Sequence, residues 1–378
     1  MKVALVHDYL NQAGGAERVV ASLHRMFPDA PIYTTLFDPA VVGEPLASAN
    51  VRGSWMLRLP AWRRHFRAYL PLYPFAVRSF DLREYDLVIS SSSAWAKGIR
   101  VAPGALHLCY CHTPMRWAWS FDRYVERSHL GPMARLAARP VARLLRIWDV
   151  RTARRVDRFI ANSSVVADRI QRHWHRESVV VPPPVDIHRF RADRPPGDFA
   201  LVVSRLISYK RIDLAVQACT AMGIPLVVVG EGPDSDAFRT LAGPTVRFTG
   251  RLTDPETAEL FERCRVFILP GEEDFGITPL EANAAGRPTV AYARGGVRDT
   301  VVDGVTGLLF HEDTPESLGE ALVRAMARTW DAAQLRAHAE SFAETVFEQR
   351  IRAVLQDALV RRHPEDGYFP IVPTYSSR

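Results

Sequence analysis

The stretch VFILPGEEDFGITPLEANAAGRPT, residues 266–289, decides the fold of this chain. Its apolar run Val266–Leu269 predicts a buried strand, and Pro270-Gly271 ends that strand. The following residues predict a polar loop and then a helix with Thr278 as its N-cap, which stops before Gly286. A buried strand, a polar loop and a helix in this order are typical of an open parallel α/β sheet, whose ligands bind beyond the carboxyl ends of the strands.

Two glutamates of this stretch, Glu273 and Glu281, are separated by seven residues. Glu273 lies on the predicted loop, and the helix start would direct the backbone N–H groups of Gly276, Ile277 and Thr278 towards an anion. Thr278 and Glu281 also have the spacing of a capping box, in which the carboxylate would only bind the helix start. A capping box leaves Glu273 unexplained. The rest of the chain must therefore indicate whether the two glutamates bind a ligand.

The length and composition predict a globular protein of two or three domains. The chain has 378 residues, of which 47% are hydrophobic. No apolar run approaches the ~18 residues of a membrane-spanning helix, and the pattern predicts no signal peptide. The four cysteines are too few and too scattered for a disulfide framework, which indicates a reducing cytoplasm.

Strand-like and helix-like segments alternate along the chain in two series. The first series opens with KVALVHDY and the second with FALVVSRL, and Pro182-Pro183-Pro184 predicts a stiff linker between them. This alternation predicts an α/β protein with two facing Rossmann-like domains and a cleft between them. The predicted parts are residues 1–185, residues 186–345, and a C-terminal helix and tail at 346–378 that packs back on the first domain.

Positive charge is concentrated in the first half of the chain. Residues 1–195 hold 29 Lys and Arg against 16 Asp and Glu, or +13, whereas residues 196–378 hold 19 against 26, or −7. Segments 55–80 and 133–155 alternate arginines with apolar and aromatic residues, a pattern that suits an anionic membrane surface. A solvated basic face over a core-facing apolar side gives the same pattern. Nucleic acid is not an expected partner, because no nucleic-acid-binding motif is found.

Lysine usage singles out Lys210. Of the 48 basic residues only three are lysines, so arginine supplies nearly every ordinary positive charge. Lys210 follows Arg205 by five residues, on the loop that leaves the first strand of the second domain, where a Rossmann sheet binds phosphate. Arg205 can bind a diphosphate through two parallel hydrogen bonds, and Lys210 adds a compact point charge. The alternative is a solvated loop pair.

Several motifs occur in the order found in family 4 retaining glycosyltransferases of the GT-B fold, which the chain resembles from its first strand to about residue 315. They are GGAERV at Gly14 to Val19, Arg205-x4-Lys210, GEGP at Gly230 to Pro233, TGR at Thr249 to Arg251, and Glu273-x7-Glu281. The linker VPPPVDIHRF is similar too, with Pro183-Pro184 where the family has Asn-Gly. The loop YCHTPMRWAWS, residues 110–120, resembles bacterial polysaccharide mannosyltransferases and favours a mannosyl donor.

The resemblance implies roles for particular residues. His112 and Glu273 would contact the donor sugar as catalytic residues, Glu281 would hold the ribose hydroxyls, and Arg205 with Lys210 would neutralise the diphosphate. The other donor-binding positions are Gly14, Gly15, Gly230, Phe275, Gly276, Ile277 and Thr278. Glycine at 14 and 15 would let the backbone approach the phosphates. The first domain would bind the acceptor and the second the nucleotide sugar.

Two alternatives for His112 come from the residues alone. It could ligate a metal with Cys109 and Cys111, although no second cluster has zinc spacing. It could also be a buried histidine with satisfied hydrogen bonds. The chain's one Asp-x-Asp, Asp234-Ser235-Asp236, opens a predicted helix, where acidic residues suit the helix dipole better than Mg²⁺.

The implied reaction is metal-independent and needs no cofactor. A hexose, with mannose from GDP-mannose favoured, would move with retention to a lipid-linked or polysaccharide acceptor. The protein would be cytoplasmic, with a peripheral contact to the anionic inner face of the membrane. Open alternatives are another donor such as a UDP-sugar, a GT-B-fold sugar-nucleotide epimerase, and a non-catalytic module that binds sugar nucleotides or anionic lipid.

Overall fold

The computed structural model describes residues 1–120 and 132–362. The chain divides into two compact units. The first unit is Met1–Pro184 together with the C-terminal segment that begins at Thr345, and the second unit is Val185–Glu344. The end of the predicted C-terminal tail, residues 363–378, lies outside the described residues.

The first unit contains a seven-stranded parallel sheet in the order β3-β2-β1-β4-β5-β6-β7. The strands are β1 (Val3–His7), β2 (Ile32–Thr34), β3 (Val51–Gly53), β4 (Leu87–Ser92), β5 (Leu106–Cys111), β6 (Arg158–Ala161) and β7 (Ser178–Val180). Every residue of β4 and β5 is buried, as in sheets covered on both faces. Because the strands are parallel, their carboxyl ends share one edge, which we call the carboxyl edge.

Helices connect these strands and cover the sheet. The α-helices of the first unit are Gly15–Met26, Pro39–Val42, Trp62–His65, Tyr73–Arg78, Arg116–Trp119, Pro132–Ala153 and Ser164–Trp174, with 3-10 turns at Trp55–Arg58, Leu70–Leu72 and Ala96–Gly98. The last described helix, Glu344–Arg362, buries Phe347, Ile351 and Leu355 in the core of this unit, together with Leu5 and Leu108.

The second unit contains a six-stranded parallel sheet in the order β10-β9-β8-β11-β12-β13. The strands are β8 (Ala200–Val203), β9 (Leu226–Val229), β10 (Val246–Gly250), β11 (Val266–Leu269), β12 (Thr289–Tyr292) and β13 (Gly307–Phe310). Its α-helices are Ile212–Met222, Ser235–Thr240, Asp254–Arg263, Ile277–Ala284, Val297–Thr300, Pro315–Ala327 and Ala332–Glu340, with 3-10 turns at Ile187–Arg189 and Ser208–Lys210.

The predicted fold class is confirmed, because both units are Rossmann-like parallel sheets with helices between the strands. The strand predicted at residues 266–269 is β11, inside the second sheet between β8 and β12. Its four side chains are at most 5% exposed. An apolar run without alternation is what a strand covered on both faces requires.

The prediction for the start of the helix after β11 is wrong. The helix is Ile277–Ala284 and its N-cap is Gly276, with φ 87° and ψ 80°. Only glycine adopts this left-handed backbone without strain, so the chain enters the helix before Thr278 can act as the cap. Thr278 and Glu281 therefore both lie inside the helix, and their spacing is not a capping box. A capping box does form elsewhere, between Thr253 and Glu256.

Both basic segments combine buried and exposed apolar residues. Segment 55–80 folds into short helical turns, in which Met56, Trp62 and Tyr73 belong to the core while Phe75 is 65% exposed, so the core-facing alternative explains part of it. In the long helix of segment 133–155, Leu144 is 67% and Ile147 48% exposed. Within residues 1–120 and 132–362, no helix has both the length and the apolar character needed to cross a bilayer.

Candidate functional site

The carboxyl edge of the second sheet brings together the loops that carry the predicted donor-binding residues. Backbone hydrogen bonds connect these loops to one another: Leu206 N donates to Glu231 O at 3.0 Å, and Gly296 N to Glu273 O at 2.8 Å. The loop after β8 is therefore connected to the loop after β9, and the loop after β11 to the loop after β12. Parallel strands place all of these loops at the edge where such sheets bind ligands.

Glycines let these loops approach closely. A Cβ atom added to Gly230 would lie 2.0 Å from the Ser204 carbonyl oxygen, and one added to Gly271 would lie 2.6 Å from the Lys210 carbonyl oxygen. Both distances are far inside van der Waals contact, so a side chain would push the loops apart. Gly230 was predicted as a donor-binding position, but contact with its own neighbouring loop already requires glycine there.

Lys210 and Glu273 form an ion pair at this edge. Lys210 ends the 3-10 turn after β8, and Glu273 lies on the loop after β11, the neighbouring strand. Their side chains are 17% and 18% exposed, so the pair is reachable from solvent. The sequence assigned these two residues to different parts of a ligand, and the structure shows them in contact with each other.

Arg205 has a different environment. Its side chain is exposed, and within the described residues its guanidinium has no hydrogen bond or ion pair. Arg211, on the same segment, pairs with Asp213 at 3.1 Å and with Asp313. Arg205 is therefore a cation available to an anionic ligand, whereas Arg211 is already neutralised.

Glu281 is much less accessible than Glu273. It lies in the helix after β11 and is 5% exposed. One of its oxygens is 3.7 Å from Arg189, which also lies 3.4 Å from Asp254. Sequence reasoning missed Arg189, because no local pattern connects residues that far apart along the chain.

Phe275 does not present its ring to a ligand. The side chain is 4% exposed and packs on Phe342, with ring centroids 6.1 Å apart. Gly276, Ile277 and Thr278 are partly exposed. Of these four predicted donor-binding positions, Phe275 could contribute only its backbone.

The Asp-x-Asp segment has a structural task. Asp234 and Asp236 lie at the start of helix Ser235–Thr240, as predicted. Asp234 accepts hydrogen bonds from both the backbone N–H and the hydroxyl of Ser208, each at 2.6 Å, and so connects two loops of the carboxyl edge. Among the described residues, no three His, Cys, Asp or Glu side chains converge as a metal site would require.

The carboxyl edge of the first sheet carries His112. This residue follows β5 directly and is 8% exposed, and its Nε2 lies 2.7 Å from the Ser91 hydroxyl. The neighbouring Cys109 and Cys111 are buried among apolar residues. Burial raises the pKa of the Cys109 thiol to about 12, so this sulfur is a thiol rather than a metal-binding thiolate at neutral pH.

Two polar residues at the end of β1 were not assigned a role from the sequence. His7 is 2% exposed, and its Nδ1 lies 3.1 Å from both the carbonyl and the hydroxyl oxygen of Ser91. Asp8 accepts backbone hydrogen bonds from all four residues 93–96, at 2.6 to 2.9 Å, and fixes the loop after β4. The available signal was two polar residues at the carboxyl end of a buried strand.

Gly14 is the N-cap of helix Gly15–Met26. Its φ of −151° is accessible to any residue, so its backbone conformation does not demand glycine. A Cβ there would lie 3.1 Å from a carboxylate oxygen of Glu17, which is itself 4% exposed. The Gly14-Gly15 loop therefore lies against a buried carboxylate.

Lys97 and Asp149 form a buried ion pair that was also missed. Lys97 is 1% exposed, and its ammonium also donates to the Ala94 carbonyl at 2.9 Å. Asp149 accepts the indole N–H groups of Trp119 and Trp174, each at 2.7 Å. Because both charges have several partners, the pair is suited to holding the helix Pro132–Ala153 in place.

Each half of the chain matches a model of a known protein family. Residues 13–189 match the family model described as Glycosyltransferase Family 4, and residues 186–343 match the one described as Glycosyl transferases group 1. The two matches are consecutive and together span residues 13–343. They agree with the division of the structure into two units.

Curated relatives align with this chain over only part of their length. A GDP-mannose-dependent alpha-mannosyltransferase of Corynebacterium glutamicum is 29% identical over 68% of this chain and 63% of its own length. A D-inositol 3-phosphate glycosyltransferase of Geodermatophilus obscurus is 31% identical over 54% of this chain and 53% of its own length. The chain thus spans less than two thirds of the length of these relatives.

Solved structures support the fold. HepE of Anabaena, crystallised in complex with UDP, superimposes with a TM-score of 0.70 over 94% of this chain and 100% of its own, at 18% identity. At that identity the likeness concerns the fold.

Proposed function

We propose that this chain is a GT-B glycosyltransferase that transfers a hexose from a nucleotide sugar to a lipid-linked or polysaccharide acceptor with retention of configuration. The observation that carries the proposal is the charged carboxyl edge of the second unit, where the exposed cation Arg205 accompanies the Lys210–Glu273 pair. GDP-mannose is the first candidate donor, supported by the activity of the Corynebacterium relative. The UDP complex of HepE supports including UDP-sugars.

The ion pair suggests how a donor would be received. A nucleotide diphosphate would attract Arg205 and Lys210, since both cations form charge-assisted hydrogen bonds with phosphate oxygens. Lys210 would then leave Glu273, whose carboxylate becomes free to accept hydrogen bonds from sugar hydroxyls. Backbone N–H groups at the start of helix Ile277–Ala284 would add to the diphosphate contacts.

The transfer step follows from this arrangement. The bond between the sugar C1 and the β-phosphate oxygen breaks, and its electron pair stays on that oxygen. The acceptor hydroxyl oxygen bonds to C1 on the face that the phosphate leaves, and its proton passes to the departing phosphate. Arg205 and Lys210 stabilise the negative charge that develops on the diphosphate.

The remaining roles complete the donor site as the family resemblance implies it. His112 would hydrogen-bond a sugar hydroxyl, and Glu281 would hold the ribose with one of its oxygens. The Gly14-Gly15 loop would approach the phosphates. No metal ion or cofactor enters this reaction.

A lipid-linked acceptor agrees with the surface of the first unit. Leu144 and Ile147 are 67% and 48% exposed on the helix Pro132–Ala153. They line a cavity of about 250 Å³ together with three arginines, Arg78, Arg151 and Arg155. Apolar side chains beside guanidinium groups suit a membrane surface with anionic headgroups. We propose a peripheral contact with the inner face of the cytoplasmic membrane.

The donor is found by a thermal-shift screen of GDP-, UDP- and ADP-sugars, because a ligand that binds only the folded state raises its apparent stability. The stabilising donor is then incubated with glycan or lipid-linked acceptors in the presence of EDTA. We expect nucleotide diphosphate release only when an acceptor is present. Conversion of the donor without acceptor would indicate an epimerase instead, and an intact donor in every mixture would indicate a binding module.

A further inference from the structure

We infer that His7 and Ser91 are positioning residues for His112, which they hold in the tautomer that carries its proton on Nδ1. The inference rests on the proposed contact between His112 and the donor sugar. Three neighbouring strands supply the residues: His7 ends β1, Ser91 lies opposite it on β4, and His112 follows β5. All three residues are at most 8% exposed.

The direction of the first hydrogen bond follows from its acceptor. Nδ1 of His7 lies 3.1 Å from the carbonyl oxygen of Ser91, and a carbonyl oxygen can only accept. His7 therefore carries a proton on Nδ1. The same nitrogen lies 3.1 Å from the Ser91 hydroxyl oxygen, so its N–H is shared between the two oxygens of Ser91.

The direction of the second hydrogen bond follows from the first. Because the Ser91 hydroxyl oxygen already faces an N–H donor, its own proton is free to turn to Nε2 of His112, 2.7 Å away. Nε2 of His112 then acts as acceptor. A neutral imidazole with an accepting Nε2 carries its proton on Nδ1, and which nitrogen is protonated determines what the ring can offer a ligand.

Glu17 lies close to Nε2 of His7, the ring nitrogen that does not contact Ser91. Its Oε1 lies 3.7 Å from Nε2 of His7 and is buried without a hydrogen-bond partner in the described part of the chain. Two acceptors would face each other unless a proton sits on Nε2 of His7 or on Oε1 of Glu17. In both cases the Nδ1 proton of His7 remains directed at Ser91, so Glu17 supports the same orientation.

A second Ser–His pair in the same sheet provides a matched control. Ser90 and His107 also come from β4 and β5, with the hydroxyl 2.8 Å from Nε2. Ser90 precedes Ser91, so the two side chains point to opposite faces of the sheet. Ser90 and His107 are at most 1% exposed, and no ligand contact is proposed for this pair.

The test is the tautomer of His112, measured by NMR of full-length protein labelled with ¹⁵N-histidine. The signal is assigned by its loss in His112→Gln. We expect an Nδ1–H tautomer in the wild type, in Ser90→Ala and in His7→Asn, whose amide can still donate to Ser91. In Ser91→Ala and His7→Leu the Nε2–H tautomer should appear. An unchanged tautomer in both of these variants would overturn the inference.

Kinetics provide the second readout. Ser91→Ala and His7→Leu should each lower kcat about 10-fold with little change in the donor KM, as expected when an orienting partner is lost. His7→Asn should restore kcat, and Ser90→Ala should leave it unchanged. A merely structural role would instead lower all variants in proportion to their stability, which would contradict the inference. If His112→Gln has wild-type turnover, the proposed contact with the sugar fails, while the NMR result still reports on positioning.

Discussion

The carboxyl edges of the two sheets have the same position in similar folds but different chemistry. The first edge is buried and hydrogen-bonded: His7, Ser91 and His112 contact one another and are at most 8% exposed. The second edge is charged and reachable, with Lys210 and Glu273 at 17% and 18% exposure. A fixed network suits the orientation of neutral hydroxyls, whereas an exposed ion pair can exchange its partners for a diphosphate.

The largest effect should come from Lys210→Ala. The substitution removes a cation from the proposed diphosphate site and leaves the Glu273 carboxylate without the ion pair that it forms with Lys210. Charge-assisted hydrogen bonds contribute about 1.5–3 kcal/mol, so kcat/KM should fall roughly 10- to 100-fold, and more with the added repulsion. Release of nucleotide diphosphate measures the change. Wild-type turnover would remove Lys210 from the site.

Arg205→Ala should weaken binding of the nucleotide diphosphate by about 10-fold or more, because this guanidinium has no partner within the described residues. Calorimetric titration measures the affinity. Arg263→Ala is the control. This exposed arginine pairs with Glu259 and precedes β11, so it lies where the strands begin, opposite the carboxyl edge. Equal losses of affinity in both variants would mean that overall charge, not the carboxyl edge, attracts the ligand.

Glu273→Gln should separate binding from turnover. Without the negative charge of Glu273 competing for Lys210, the nucleotide diphosphate should bind as tightly as to the wild type or more tightly. Turnover should still fall about 10-fold or more, because the carboxylate no longer accepts from the sugar. If diphosphate affinity and turnover fell together, Glu273 would only support the structure of the loop after β11.

The membrane contact should respond to the exposed apolar residues of the first unit. Replacing Leu144 and Ile147 with serine should reduce binding to anionic vesicles by about 10-fold or more, since full burial of one such side chain contributes about 1.5–3 kcal/mol and about 1.4 kcal/mol is tenfold in affinity. Vesicle sedimentation at low and high salt measures this binding. The same binding to neutral and anionic vesicles in the wild type would contradict the electrostatic part of the proposal.

The buried Ser90–His107 pair of the first sheet predicts that stability depends on pH. Burial lowers the pKa of His107 to about 3, so the folded state leaves it neutral while the unfolded chain takes up a proton near pH 6.5. Stability should therefore fall as the pH drops below about 6.5, by up to about 1.4 kcal/mol per pH unit. His107→Gln should flatten this slope in urea unfolding between pH 7 and 5. An unchanged slope would assign the acid sensitivity to other groups.

The fold was predictable because its signals are local. An apolar run such as Val266–Leu269 between polar loops indicates a strand buried on both faces, and the same pattern repeats along the chain. Lys210 was predictable from composition, since lysine is rare here. The start of the neighbouring helix was not, because the left-handed conformation of Gly276 overrides the usual preference for a threonine cap.

The contacts of the candidate site were not predictable from the sequence. Lys210 contacts Glu273 because β8 lies beside β11 in the sheet. The periodicity of the sequence does not reveal this strand order. The contact of Glu281 with Arg189 likewise depends on tertiary packing. Residues such as these show that a sequence motif can indicate which side chains form a site but not which residues they contact.

Transfer of the sugar tests the central claim most directly. Proton NMR follows the anomeric signals of the donor chosen by the thermal-shift screen, incubated with acceptor and with wild-type or Lys210→Ala protein. The wild type should produce free nucleotide diphosphate and a new glycoside with the donor's anomeric configuration, and Lys210→Ala should produce little of either. A product of inverted configuration, or equal product from both proteins, would contradict the account.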